Sequence, residues 1–301
     1  MRVPPIRRLL PVPVSALLAI PAAGLVCVAY GVLVERRWFR LARRRLDILP
    51  AGAPGRITVL HLSDLHLVRG DRAKVRFLAR LPRADLTVIT GDLLGEPDAV
   101  EDVARALRPI RGRLGSWFVL GSNDHFVPRP LNYLAYFRRR RRARRGVRGR
   151  APELVARLEA DGWRHLGNVR FQADLDGFPV EVVGLDDAHI GRHDLRVAAR
   201  GAPDRLGIAL THSPDAAPEL AALGWDLIVA GHTHGGQVRL PLVGALVTNS
   251  HLPRRLASGL FRLGPSVVHV SPGLGTSRYA PFRFLCRPEA TLLELVPGRA
   301  Q

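Results

Sequence analysis

Gly231-His232-Thr233-His234-Gly235-Gly236-Gln237 follows directly on Asp226-Leu227-Ile228-Val229-Ala230. The apolar run reads as a short buried strand, and the glycines read as a turn that leaves the backbone clear. Two imidazoles one residue apart, leaving a strand on such a turn, can point at one spot beyond its end. Neutral imidazole is the commonest metal ligand among side chains. His-x-His alone also fits a solvated surface turn. What decides between the two is whether other strands end in metal-binding residues.

They do. Ile57-Thr58-Val59-Leu60-His61-Leu62 reads as a strand ending in Ser63-Asp64-Leu65-His66. Leu86 to Thr90 ends in Gly91-Asp92, and Trp117 to Leu120 ends in Gly121-Ser122-Asn123-Asp124-His125. Gly207 to Leu210 ends in Thr211-His212. Helical spacing over Arg72 to Leu81, Asp98 to Leu107 and Pro152 to Ala160 separates these runs. Alternating strands and helices predict a largely parallel sheet, and ligands of such sheets bind beyond the carboxyl ends of the strands. Further strands are read at Pro179 to Val183, Ser266 to Val270 and Ala290 to Val296. Five strand ends supplying only Asp, His and Asn are poorly explained as solvated loops.

Composition bounds the rest. The chain has 301 residues, 47% hydrophobic and 24% charged, with a formal net charge of +19. That allows a sizeable core and favours anionic partners: membrane surface, phosphorylated substrate or nucleic acid. Lys74 is the only lysine, so the arginine bias carries a compositional component. Cys27 and Cys286 are the only cysteines, so neither a disulfide framework nor a thiolate metal site is implied.

Leu9 to Val34 holds no charged residue, a length that suits a membrane-spanning helix. Arginines flank it on both sides, more heavily after it (Arg36, Arg37, Arg40, Arg43, Arg44, Arg45), with Tyr30, Trp38 and Phe39 at the expected interface. The reading is a single-pass anchor with the following domain on the cytoplasmic side, Pro11, Pro13 and Pro21 weakening the helix. Residues 1–46 are assigned to the anchor and its basic flank, 47–56 to a linker and 57–301 to one catalytic domain. Arg138 to Arg150, with nine arginines and two glycines, reads as a solvated insertion.

Asp-x-His, Gly-Asp, an Asn motif, a lone His and Gly-His-x-His, in that order, resemble the calcineurin-like metallophosphoesterases, and the Gly231 stretch resembles their bacterial membrane-associated branch. The resemblance runs from about Ile57 to Val296. It implies an α/β fold with a two-sheet β-sandwich flanked by helices in four layers. It also implies two divalent cations. One would take Asp64, His66, Asp92 and His234; the other would take Asp92, Asn123, His212 and His232, with Asp92 bridging. Mixed nitrogen and oxygen ligation suits Mn, Fe, Zn, Co or Ni better than Mg. Two such cations clamp a phosphoryl oxygen and activate water, so the expected activity is hydrolysis of a phosphomonoester, phosphodiester or pyrophosphate. A lipid-linked or cell-envelope substrate fits the anchor. The alternative is a catalytically weak module of the same fold binding anionic lipid or nucleic acid.

One motif departs from the family. Its usual form is Gly-Asn-His-Asp. Aligned on Asn123, the place of the catalytic histidine holds Asp124, and His125 comes one residue later. Asp124 and His125 therefore stand as candidate catalytic residues beside Asn123. His61 is read as structural. Asp186 and Asp187 read as supports of the site or a plain turn. His165, His189, His193, His251 and His269 receive no role, and Asn249, Arg254, Arg278 and Arg283 are candidates for substrate contact.

Overall fold

The computed structural model describes residues 14–50, 53, 55–128 and 146–298. The arginine run at 138–145 and the first residues of the expected anchor lie outside them. After a helix, α1 (Val14–Leu33), come strands β1 (Arg40–Leu49) and β2 (Ile57–Leu62), helix α2 (Arg72–Leu78), β3 (Leu86–Thr90), α3 (Val100–Leu107), β4 (Gly115–Val119) and the short α4 (Ser122–His125). Helix α5 (Ala151–Ala160) and strands β5 (Arg164–His165), β6 (Val169–Asp174), β7 (Pro179–Gly184) and β8 (Leu206–Leu210) come next. The last part holds α6 (Ala217–Ala222), β9 (Leu227–Ala230), a small hairpin of β10 (Arg239–Leu240) and β11 (Gly244–Ala245), β12 (Gly259–Leu263), β13 (Ser266–Val270) and β14 (Glu289–Pro297).

These strands build two six-stranded sheets, ordered β1-β14-β2-β3-β4-β5 and β12-β13-β9-β8-β7-β6. Strands β2 to β5 run parallel, as do β7, β8, β9 and β13. Side chains alternate between the faces of a strand. In β2, Ile57 and Val59 face the second sheet, while Leu60 and Leu62 face the helices. In β9, Leu227 and Val229 join the inter-sheet core, while Ile228 and Ala230 pack with α6 residues. Three apolar cores thus separate four layers: α2, α3 and α5; the first sheet; the second sheet; α6. Both parallel sets end at the same edge of the sandwich, which is where the site forms.

The N-terminal reading needs correction at two places. Arg40–Leu49, read as basic flank and linker, is a ten-residue strand pairing in parallel with β14 from Arg40↔Glu289 onward. As an edge strand it tolerates charges on its exposed side, while Leu46 and Leu49 are buried. Among the described residues, no helix is long and apolar enough to cross a membrane; α1 has 20 residues and carries Pro21 inside. Its last turn belongs to the domain. Tyr30 meets Phe284 edge to face at 6.3 Å, and the buried Glu35 accepts the N–H groups of Leu285 and Cys286 at 2.9 and 2.5 Å.

Candidate metal centre

Four of the predicted residues converge. Asp64, His66, Asp92 and His234 each offer a ligand atom, and these atoms lie within 4.8 Å of one another. Their origins are the ends of β2, β3 and β9. Nε2 of His66 and Nε2 of His234 stand 3.2 Å apart, and His234 Nε2 is 3.5 Å from Asp64 Oδ1. That oxygen is buried without a hydrogen-bond partner. The other oxygen of Asp64 accepts from Ser63 Oγ and His232 N. Buried polar groups normally have partners, so lone pairs converging with nothing between them fit a cation.

The remaining predicted ligands surround Asp92 on its other side. His212 Nδ1 lies 2.7 Å from the Thr90 carbonyl, and His232 Nε2 lies 3.1 Å from the Asn249 carbonyl. A carbonyl only accepts, so each of those nitrogens carries the proton. The lone pairs are left on His212 Nε2 and His232 Nδ1, which face each other at 3.2 Å. His212 Nε2 is also 3.6 Å from Asp92 Oδ1. Fixing the tautomer through the far nitrogen is how proteins ready histidine for a metal. Asn123 donates its backbone N–H to Asp92 Oδ1 at 2.8 Å and its amide to Oδ2 at 2.5 Å; a half-turn of that amide would present its oxygen instead.

Charge tells the same story. Burial pushes the Asp64 carboxyl up to about 6 and lowers His66 to about 4. It also pulls His232 and His234 well below the ordinary imidazole range. Burial opposes the charged form of His212, yet Asp92, Asp187 and Asp64 raise it to about 9. Burial likewise opposes the charge of Asp92, but His212 and His66 hold it far below the usual carboxylate range. The carboxylates around His212 make positive charge favourable in this pocket.

Backbone geometry brings the ligands together. Asp64, His66, Asp92, His232 and His234 all have positive φ, between 40° and 68°, a region that residues with a Cβ rarely enter. Strain of this kind clusters at functional sites. Gly121 and Gly231 allow the close approach: a Cβ on the first would overlap Asp92 Oδ1, and on the second Ser63 Oγ.

The two remaining candidates fall elsewhere. Asp124 is completely buried. Its oxygens accept Leu94 N at 2.9 Å and Gly121 N at 3.0 Å, which caps α4. Burial and then Asp92 push its carboxyl up to about 7. Asp124 follows Gly121 by three residues, as Asp follows Gly in Gly-Asn-His-Asp. On that frame Ser122 takes the place of the asparagine and Asn123 that of the histidine. His125 turns away: its Nε2 is 2.7 Å from Asp186 Oδ1, and Asp186 is held in turn by Arg192. Arg283 is not a substrate contact either. It is fully buried and donates to the carbonyls of Gly275, Pro272 and Cys286. His61, read as structural, meets His269 across the two sheets at 2.7 Å.

A cleft of about 450 Å³ opens over the ligands, lined by His66, Asp92, His232 and His234 on one side and by Val238, Val247 and Phe282 on the other. Ser122 and His189 also line it. The His189 ring lies 4.3 Å from that of His232, tilted by 41°. The sequence reading missed His189; its position just after the Asp186-Asp187 turn at the end of β7 was the available signal. A second opening of about 530 Å³ reaches His66 from the other side, past Arg36, Arg37, Arg69, Arg72 and Arg278.

Fold and site together define a metal-dependent phosphoesterase. The sequence pattern of the calcineurin-like phosphoesterases matches residues 57–236, and the chain belongs to that family. It is 30% identical to the metallophosphoesterase YkuE of Bacillus subtilis, over 83% of this chain and 82% of that one. It is 28% identical to the phosphodiesterase YaeI of Escherichia coli, over 87% and 90%. A third relative is the UDP-2,3-diacylglucosamine pyrophosphatase LpxG of Chlamydia trachomatis, 26% identical over 79% and 83%.

Proposed function

We propose that this chain is a dinuclear-metal phosphoesterase that works at a membrane on a lipid-linked phosphodiester or pyrophosphate. The supporting observation is Asp92. One of its oxygens lies 3.5 Å from His66 Nε2 and the other 3.6 Å from His212 Nε2, so a single carboxylate faces both groups of ligands. Two divalent cations held there would supply Lewis acidity and activate water for in-line attack on phosphorus. The chain's own residues do the rest. Thr90 and Asn249 fix the tautomers of His212 and His232. Arg36, Arg37, Arg69 and Arg278 set a positive field on the approach to His66, which draws an anion inward. With Asn123 in the histidine's place, that position offers no proton donor for the leaving oxygen; His189 is a further titratable group lining the cleft.

The membrane part rests on α1. Residues 21–29 are exposed on every side, including Leu25, Val26 and Val28. A helix that is apolar all round belongs in an apolar phase. Basic flanks suit an anionic lipid surface, and LpxG is named for a diacylated substrate.

Metal analysis of the purified chain, alongside turnover of bis(p-nitrophenyl) phosphate, tests the catalytic reading. Two metal ions per chain are expected, and Asp92→Asn should lose both occupancy and turnover. Near-parental turnover in that variant overturns the shared-ligand assignment. Full occupancy without turnover in the parent would favour the binding module instead.

A further inference from the structure

We infer that the β10–β11 hairpin is a second membrane contact, a wedge that seats the mouth of the metal cleft at the lipid surface. This rests on the membrane part of the proposed function but involves a different part of the chain. The hairpin tip is Leu240-Pro241-Leu242-Val243, and all of it faces outward. Leu242 is 109% exposed and Val243 59%. Leu246 and Val247, just past β11, are exposed as well. Leu242 also sits at φ 65°, a conformation that favours glycine. A leucine held in a disfavoured backbone and fully presented to water gains nothing from its own fold. Leu285 repeats the pattern at φ 52° and 50% exposure.

These residues are continuous with α1. Arg239 N donates to Phe284 O at 2.9 Å, and Phe284 packs against Tyr30 at the end of α1. Hairpin, Leu285 and α1 therefore form one apolar rim. Inward from it, Val238 and Val247 line the cleft beside the ligands, so an acyl chain leaving the bilayer at the hairpin meets an apolar wall leading to the metal site.

Charge selects the occupant. From Leu227 through Pro288 there are seven arginines and not one Asp or Glu. Arg254 and Arg255 are exposed just behind the hairpin. Beside Trp38 and Leu285, a cavity of about 520 Å³ is lined by Arg40, Arg44, Arg239 and Arg287 together with Glu35 and Glu289; Glu289 pairs with Arg40 at 2.6 Å, which leaves arginine in excess there. A second copy of the chain would bring the same positive face and repel it. An apolar tip ringed by arginine matches an anionic bilayer, where the side chains enter the acyl boundary and the guanidinium groups meet the phosphates.

The test uses the full chain with Cys27→Ser, since Cys27 is exposed and Cys286 buried. Leu242→Cys, carrying a polarity-sensitive fluorophore, is mixed with phosphatidylcholine–phosphatidylglycerol vesicles. Its emission should shift to the blue and be quenched by a lipid-borne quencher. The same label at Asp176→Cys, on the β6–β7 turn away from the site, should do neither. Leu242→Asp with Val243→Asp should lower turnover of vesicle-embedded p-nitrophenyl hexadecyl phosphate about tenfold or more. It should leave p-nitrophenyl methyl phosphate unchanged. Parent chain that fails to float with vesicles overturns this inference and the membrane association together. Chain that floats while the 242 label keeps its aqueous emission overturns the hairpin contact alone. A blue shift without vesicles means self-association and overturns it too. Insertion of the label in a chain that hydrolyses neither ester upholds the contact and refutes only the catalytic reading.

Discussion

Glu35→Ala tests whether the segment before β2 is part of the catalytic fold. Glu35 is 1% exposed and accepts the backbone N–H groups of Leu285 and Cys286. Alanine leaves both donors buried and unpaired, at about 1–3 kcal/mol each, so the loss should be about 2–6 kcal/mol. That is a large share of the roughly 5–15 kcal/mol of a typical domain. Glu35→Gln keeps one strong acceptor and should lose about half as much. The effect should also reach the site. Cys286 Sγ lies 3.4 Å from the His234 carbonyl, and Arg283 ties Cys286 to the loop under Asp64. Loosening supports of this kind weakens metal binding by about 10- to 100-fold. Urea unfolding of the detergent-solubilised, metal-free chain measures the first quantity, and titration with Mn or Zn the second. Alanine within about 0.5 kcal/mol of the parent, with unchanged metal affinity, would mark residues before Ile57 as an appendage.

Truncation gives a related contrast. Chain starting at residue 57 should be insoluble or unfolded because it lacks β1 and exposes Leu293 and Leu295 of β14; chain starting at Glu35 should fold, and equal thermal stability of the two would refute this. Asp124→Asn, assayed metal-saturated, should keep turnover within about tenfold, whereas a fall of about 10²–10⁴ would make Asp124 a catalytic acid after all. Burial opposes the charge of Asp186, but bonds from His125 and Arg192 hold its carboxyl at about 2. Lowered from about 3.9 in the unfolded chain, it contributes stability present above pH ~4 that is lost as pH falls through ~2. Asp186→Asn should flatten that part of the stability curve, and parallel curves would refute the pairing. Turnover should depend steeply on leaving-group pKa, with p-nitrophenyl esters cleaved well and alkyl esters poorly; a shallow dependence would reveal an acid in place, with His189→Ala the next variant to measure.

The convergence of the candidate ligands was legible because they come directly after apolar runs. Leu227–Ala230 and Leu86–Thr90 are too hydrophobic to be anything but buried strands, and the residues just past a buried parallel strand lie at the carboxyl edge. Strand β1 was not legible. Its sequence, Arg40-Leu-Ala-Arg-Arg-Arg-Leu-Asp-Ile-Leu49, carries the charge of a membrane flank, and only pairing with a partner about 250 residues away makes it a strand. Asp124 was placed in the site because position alone was available. Its capping bonds to Gly121 and Leu94 depend on how α4 begins. Arg283 and Arg278 look alike in sequence; one satisfies buried carbonyls and the other stands at a basic opening, a difference set by the loop between them.

The left-handed turns under five of the candidate ligands bear on how this centre can be copied. Each disfavoured φ costs about 1 kcal/mol for a residue with a Cβ, a debt that the sandwich covers by clamping both ends of every turn. A designer who transplants Asp64, His66, Asp92, His232 and His234 onto another sheet as side chains alone would get relaxed loops and scattered ligands. The portable unit is the strand together with its turn, and the residue types that can stand in for a ligand are limited by backbone tolerance as much as by affinity for metal.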